Sequence, residues 1–186
     1  MRSNKVLFVA QAAIIAALYV VLTLLANALG LANYAIQVRF SEALTILPFF
    51  TPAAIPGLFV GCIVSNILTG CLPLDIIFGS LATLIGALGT YFIGHGFTSL
   101  RSGMIIENYV EMQRSNLRKW LCPLPPIIAN TIIVPLVLAY VYMLEGSIPY
   151  FMLTVCAGEV ISCYILGMLL LNALMPKRIS IFSIQK

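Results

Sequence analysis

Six carboxylates occur in the 186 residues, and four of them, Glu42, Asp75, Glu145 and Glu159, lie in or beside long apolar runs. An ionisable group inside a membrane segment costs about 2.5 to 3.5 kcal/mol on insertion scales, so such residues are functional candidates by default. Arg39 stands three positions before Glu42, a spacing that suits a helix-face ion pair or a share in one ligand site. Asn66 and Asn130 add amides with both donors and acceptors, and Asn33, Tyr34 and Gln37 make one connecting stretch polar and aromatic. Acids outnumber bases in this set, so a cationic or donor-rich ligand fits it better than an anion. One carboxylate can accept two parallel hydrogen bonds from the N–H and amino edge of a guanine-like ring while a second pairs an ammonium. Tyr34, Tyr140, Tyr142, Tyr150 or Phe151 can stack on a flat ring, although Tyr150 and Phe151 suit an interfacial aromatic belt equally well.

Catalytic chemistry has little to stand on. The single histidine, His95, is flanked by Gly94 and Gly96 and reads as a helix-end residue; no HExxH, nucleophile elbow or Walker sequence is present. The five cysteines, Cys62, Cys71, Cys122, Cys156 and Cys163, lack CxxC or Cys/His metal spacing and read as small buried hydrophobes. No metal, cofactor or enzymatic activity is expected. Without a nucleotide-binding loop, active transport would need a partner or an ion gradient.

The elements that position these groups follow from composition. The chain is 61% hydrophobic and 9% charged, with a mean hydropathy of +1.07, whereas soluble domains carry about 25% charged residues. These figures exclude a soluble globular fold, a disordered chain, a nucleic-acid-binding domain and a disulfide-built secreted module. They leave an all-α integral membrane protein with residues 1–186 as one domain. The apolar run after Lys5 continues to about Leu29, longer than the ~7 to 15 residues of a signal peptide, so it is expected to remain as a first helix.

Nine of the ten Lys and Arg residues fall in three places: Arg2 and Lys5; Arg101, Arg114, Arg118 and Lys119; and Lys177, Arg178 and Lys186. Positive-inside bias assigns all three, and with them both termini, to the cytoplasm. Residues 120–176 hold two passes of the ~20 residues a bilayer needs, hinged at Glu145-Gly146-Ser147-Ile148-Pro149. Breakers at Gly30 to Asn33, Thr51-Pro52 with Pro56-Gly57, and Gly70 to Pro73 divide residues 6–98 into four, giving six transmembrane helices. The second, from about Phe40 to Phe50, is too short to cross unaided and is expected to pack inside the bundle. In this frame Glu42 and Asp75 lie at outer helix ends, Glu145 in an external loop, and Glu159 alone deep in the membrane. Residues 99–122 are read as an amphipathic surface helix or a solvated loop.

Small residues mark where helices approach. Gly57, Gly61, Ser65 and Thr69 form one stripe, and Asp75, Gly79, Thr83, Gly86, Thr90 and Gly94 another, both read as tight internal packing. The first helix differs. Its overlapping pairs, Ala12 with Ala16 and Ala13 with Ala17, cover more of the circumference than one neighbour requires, so they either await a partner or serve contacts within the chain.

The run from Val38-Arg39-Phe40-Ser41-Glu42 through Pro48-Phe49-Phe50-Thr51-Pro52 to Gly57 and Cys62, with Asn66 and then Asp75-Ile76-Ile77-Phe78-Gly79-Ser80-Leu81-Ala82-Thr83, resembles the queuosine-precursor transporter (QueT) family. The resemblance extends through most of the chain in length, helix count and short second helix, while its specific motif occupies about residues 37–83. It implies an S component, the substrate-binding subunit of an energy-coupling factor (ECF) transporter in a prokaryotic plasma membrane. It also implies a T component and two cytoplasmic ATPases as partners, with Ala12, Ala13, Ala16 and Ala17 matching the alanine pattern that contacts the T component. The implied substrate is a 7-deazaguanine such as 7-aminomethyl-7-deazaguanine or queuine. On this basis Glu159 and Asn130 are expected at the ring edge, Glu42 or Asp75 at the amine, Tyr34 or Tyr140 in stacking, and Arg39 and Asn66 among the binding residues. The alternatives are an S component for another vitamin or purine-like nutrient, or a self-sufficient secondary transporter, for which no internal repeat is visible.

Overall fold

The structure, a computed structural model, describes residues 2–31, 38–95 and 116–177, with side chains given from Lys5 in the first stretch and from Leu117 in the third. Among these residues there is no strand. Helix α1 covers Arg2–Ala28 and is followed by a 3-10 helix, Phe40–Phe49. Next come α2, Ala54–Leu68, and α3, Pro73–His95. A short α4, Asn116–Leu121, leads into α5, Leu124–Tyr140. The last helical stretch comprises α6, Ile148–Glu159, a π-helical segment, Val160–Leu166, and α7, Gly167–Leu174. Four stretches, Lys5–Ala28, Pro73–His95, Leu117–Tyr140 and Ile148–Lys177, are long and apolar enough to cross a bilayer.

Local chemistry sets the boundaries. Pro73 opens α3, and prolines occupy the first turns of α5 and α6, where a missing N–H leaves no bond unmade. Gly30 and Gly70, with φ of +73° and +75°, end α1 and α2 in left-handed turns. In each the following residue returns a hydrogen bond five residues back, Leu31 N–H to the Ala26 carbonyl and Cys71 N–H to the Asn66 carbonyl, both at 3.0 Å. The expected hinge lies between Tyr140 and Ile148, with Glu145 exposed in it.

The short second segment is the centre of the molecule. A 3-10 helix rises about 2.0 Å per residue against 1.5 Å for an α-helix, so ten residues reach about 20 Å rather than 15 Å. Every residue from Ser41 to Phe50 is buried, and the segment touches α1, α2, α3, the π segment and α7. Leu44, Ile46, Leu47, Phe49 and Phe50 anchor a core completed by Ile15, Leu58, Ala87 and Leu171.

Glycines close the seams around it. A Cβ on Gly61 would lie 2.8 Å from the Tyr19 Cβ, and one on Gly57 would lie 2.7 Å from the Ala12 carbonyl oxygen, so α1 and α2 meet backbone to backbone. Gly86 and Gly89 do the same for α3 against Pro126 and Pro125 of α5. Helix α1 otherwise faces outward: among its described side chains only the stripe Ile15, Tyr19, Thr23 and Ala26 is buried, and large apolar side chains such as Val9, Ile14 and Val21 are 60% exposed or more. Within residues 99–122, Asn116–Leu121 is helical, with Trp120 exposed; residues 99–115 lie outside the described residues.

Candidate functional site

Four helices converge at one end of the bundle. The last turns of α1, α2 and α5, the first turn of α3, Arg39 just before the 3-10 helix, and the connections after α2 and α5 enclose a cavity of about 310 Å3. Its polar wall comprises Thr23 and Asn27 from α1, Arg39, Asn66 from α2, Asp75 from α3, and Tyr142. By chain direction Lys5, Arg118, Lys119 and Lys177 belong to the opposite end, so Arg39 is the one cation among the described residues on the cavity side.

Beneath the cavity lies a buried polar cluster of Tyr19, Glu42, Asn130, Glu159 and Cys163. Thr23 follows Tyr19 by four residues on α1, and Val134 follows Asn130 by four on α5; Glu42 follows Arg39 by three on the 3-10 helix. Four α-helical residues and three 3-10 residues each advance about 6 Å, so the cluster sits about one turn below the wall, and its own side chains do not line the cavity. Glu42 is 1% exposed, Asn130 4% and Glu159 5%. The Tyr19 hydroxyl donates to Glu42 Oε1 at 2.5 Å, and Asn130 Nδ2 donates to Glu42 Oε2 at 3.4 Å. The same amide lies against Glu159. Cys163 Sγ donates to Glu159 Oε2 at 3.4 Å and approaches the Glu42 carbonyl at 3.6 Å.

Glu42 stands on the 3-10 helix and Glu159 at the junction of an α-helix with the π segment. A 3-10 turn places side chains three apart in one file, so Glu42 and Thr45 share a ridge, with Arg39 at the residue that precedes the helix. Glu159 is the last α-helical residue before the π segment, whose longer hydrogen-bond reach brings Cys163 beside it. The result is two carboxylates and a thiol with one ligand atom each within 4.8 Å of one another. That spacing would accept a cation. It suits equally the adjoining N–H and NH2 donors of a flat organic ring, for which the cavity supplies room and a second acid, Asp75.

At the mouth, Tyr142 bridges two elements. Its hydroxyl donates to Asp75 Oδ2 at 2.8 Å and accepts from the Leu72 N–H at 3.2 Å. Burial and then the neighbouring Asp75 carboxylate push the Tyr142 phenol up, which keeps it a donor. Met143, in the left-handed region at φ +51°, turns the chain immediately after it.

The structure brings Glu159, Asn130 and Glu42 together, and places Arg39, Asn66 and Asp75 around the cavity above them. Three expectations change. Glu42 lies as deep as Glu159 rather than at an outer end, because α1 and α5 close over it. Its oxygens are held by Tyr19 and Asn130, so the anticipated Arg39–Glu42 ion pair is replaced by a longer-range charge interaction. Tyr140 does not join this group: it is 65% exposed and lines a separate apolar depression with Phe78 and Leu136. Tyr34, with Asn33 and Gln37, lies outside the described residues. Of the four alanines, Ala12 and Ala16 are half-buried against Gly57 and Gly61, whereas Ala13 and Ala17 are exposed.

Tyr19 and Cys163 were not singled out from sequence. A tyrosine in the middle of an apolar span has no interface to sit in, and a thiol four residues from a buried acid shares its face; both were available signals. His95, the last residue of α3, stacks on Tyr91 at 4.3 Å as a helix-end residue. Of the cysteines, Cys62, Cys122 and Cys163 are buried, while Cys71 lines the cavity half-buried.

Comparison with known proteins finds a family and a relative that are both described as transporters. Over 85 residues the chain is 36% identical to the queuosine precursor transporter QueT of Lactococcus lactis subsp. cremoris (strain MG1363), a match covering 46% of this chain and 50% of that relative. No solved structure matches it. The model of the family described as QueT transporter matches residues 9–176, nearly the whole chain, and the chain belongs to that family.

Proposed function

We propose that the chain is the substrate-binding S component of an ECF-type importer and that it captures a queuosine precursor, a 7-deazaguanine such as 7-aminomethyl-7-deazaguanine or queuine. The observation that carries this reading is the buried Glu42–Asn130–Glu159 cluster about one turn below a cavity of about 310 Å3, the low end of small-ligand pockets. The 2-amino and ring N–H donors of a deazaguanine meet Glu159 and Asn130. A pendant ammonium is paired by Asp75 or by Glu42. Arg39 balances the acids so that the empty site does not carry their full repulsion.

Six passes with both termini in the cytoplasm fit this role, with the cavity opening outward, away from the basic end. The chain holds no ATPase motif, so inward delivery falls to a T component and two ATPases. The exposed side of α1 around Ala13 and Ala17 is the contact surface for the T component.

Titration of the purified protein in detergent with queuine, 7-aminomethyl-7-deazaguanine, guanine and riboflavin tests the reading. Saturable binding of a deazaguanine alone is expected. Replacing Glu159 by Gln should weaken it by about 1.5 to 3 kcal/mol, the range for a hydrogen bond to a charged group. Preference for riboflavin would redirect the substrate assignment, and uptake by the isolated chain in vesicles would replace the S-component role with that of a self-sufficient transporter.

A further inference from the structure

Tyr19 belongs to no part of the ligand reading above, yet it is tightly constrained within the buried cluster below the cavity. Its ring is 1% exposed, its Cβ is seated on Gly61, and its hydroxyl makes the 2.5 Å bond to Glu42 Oε1. Among the described residues, the other Glu42 oxygen is held by the 3.4 Å bond from Asn130. The two oxygens are therefore unequal: one is locked by Tyr19, the other is loosely held on the side that Asn130 shares with Glu159.

The position of α1 gives this bond a second meaning. The helix packs mainly on α2 and the 3-10 helix, and most of its remaining surface is exposed. Among the described side chains, Tyr19 to Glu42 is the hydrogen bond that ties α1 to a carboxylate of the cluster. Ala13 and Ala17 lie on the same helix, within two turns of Tyr19, on its outward side.

We propose that Tyr19 is a positioning residue for ligand capture: by fixing Glu42 through Oε1 it presents Oε2 together with Glu159 to the ligand's donors, and it ties α1 to the occupied site. This rests on the ligand-binding role proposed for Glu42 and Glu159. A ligand that draws Glu42 towards itself then pulls on Tyr19, and through it on the helix whose outer face carries the exposed alanines.

The test is a double-mutant cycle on the full chain, with 7-aminomethyl-7-deazaguanine as the probe and calorimetry as the readout. Tyr19→Phe removes only the hydroxyl and should weaken binding roughly ten-fold or more, the loss of one hydrogen bond to a charged group. If Tyr19 acts through Glu42, Tyr19→Phe adds little further loss in a Glu42→Gln background, since the coupled losses are not additive. Full additivity, with melting temperatures unchanged, would assign Tyr19 to general packing and overturn the inference while leaving the ligand reading intact. Should wild type fail to bind the probe, the ligand reading falls and this inference with it. A Tyr19→Leu variant that melts early while Tyr19→Phe stays folded and binds as wild type would also overturn it, because ring volume rather than the hydroxyl would then matter.

Discussion

Substitution at Gly61 probes whether α1 is held against the site by contact alone. An alanine Cβ there would sit 2.8 Å from the Tyr19 Cβ and 3.0 Å from the Ala16 carbonyl oxygen, where ordinary contact begins at 3.4 Å. Helix α1 must therefore retreat by about 0.6 Å. The Tyr19–Glu42 bond starts at 2.5 Å, so a retreat of that size lengthens it without breaking it. Overpacking costs about 1 to 3 kcal/mol, partly offset by the 0.5 to 1 kcal/mol that alanine gains over glycine inside a helix. Gly61→Ala should thus fold with a melting temperature lowered by no more than several degrees and bind ligand with modestly reduced affinity. Gly61→Leu carries three further carbons into the same seam, a displacement that separates the Tyr19 hydroxyl from Glu42. It should lose ligand binding even where it remains folded. Thermal unfolding in detergent read alongside ligand titration separates the two effects. Unchanged melting and affinity in Gly61→Leu would refute the reasoning, since α1 would then not be seated on α2 as described.

The two alanine pairs of α1 should behave oppositely. Ala13→Trp or Ala17→Trp should leave folding and ligand binding intact but abolish transport in vesicles reconstituted with T component and ATPases, whereas Ala12→Trp or Ala16→Trp should lower the melting temperature because those positions back Gly57 and Gly61. Tyr142→Phe removes the hydroxyl that joins Asp75 to the Leu72 N–H, so bound ligand should leave faster, by roughly ten-fold for a contribution near 1 to 1.5 kcal/mol, as measured by stopped-flow release. Gly86→Ala would put a Cβ 2.6 Å from the Pro126 Cα, a backbone atom that cannot swing aside, and should destabilise the α3–α5 seam by about 1 to 3 kcal/mol, read as earlier melting.

Glu159 and Asn130 were legible in the sequence because an acid and an amide inside apolar runs have few inexpensive explanations. The glycine stripes were legible for a related reason: small side chains at three- and four-residue spacing have little else to do in a membrane, and Gly57, Gly61, Gly86 and Gly94 all meet a neighbour at close range. The depth of Glu42 was not legible. Counting residues from the start of a short segment gives its distance along that segment, while burial depends on Tyr19 and Asn130 arriving from 23 and 88 residues away. Tyr140 was misleading for a simpler geometric reason. It lies two residues from both Leu138 and Tyr142, and two α-helical steps of about 100° place it on the opposite face from the cavity wall. The division of labour among the alanines followed the same rule, since Ala12 and Ala13 differ by one such step, enough to turn one towards Gly57 and leave the other outside.

The π segment from Val160 to Leu166 bears on how the chain tolerates insertions and deletions. Its wider turns carry more residues than an α-helix of equal rise, so the surplus is stored in the middle of a membrane span. Removing a single residue from 160–166 would let the span become regular α-helix and leave what lies beyond it in nearly the same rotation, because the larger angular step of each α residue makes up for the residue lost. Gly167, which lies against Ala43, and Leu171, fully buried in the core, would keep their neighbours. Adding a residue has no such reserve: everything beyond it would turn by about 100° relative to Glu159, whereas the connection from Val141 to Ser147 can absorb one without altering any helix face. This stretch can lose a residue more easily than it can gain one.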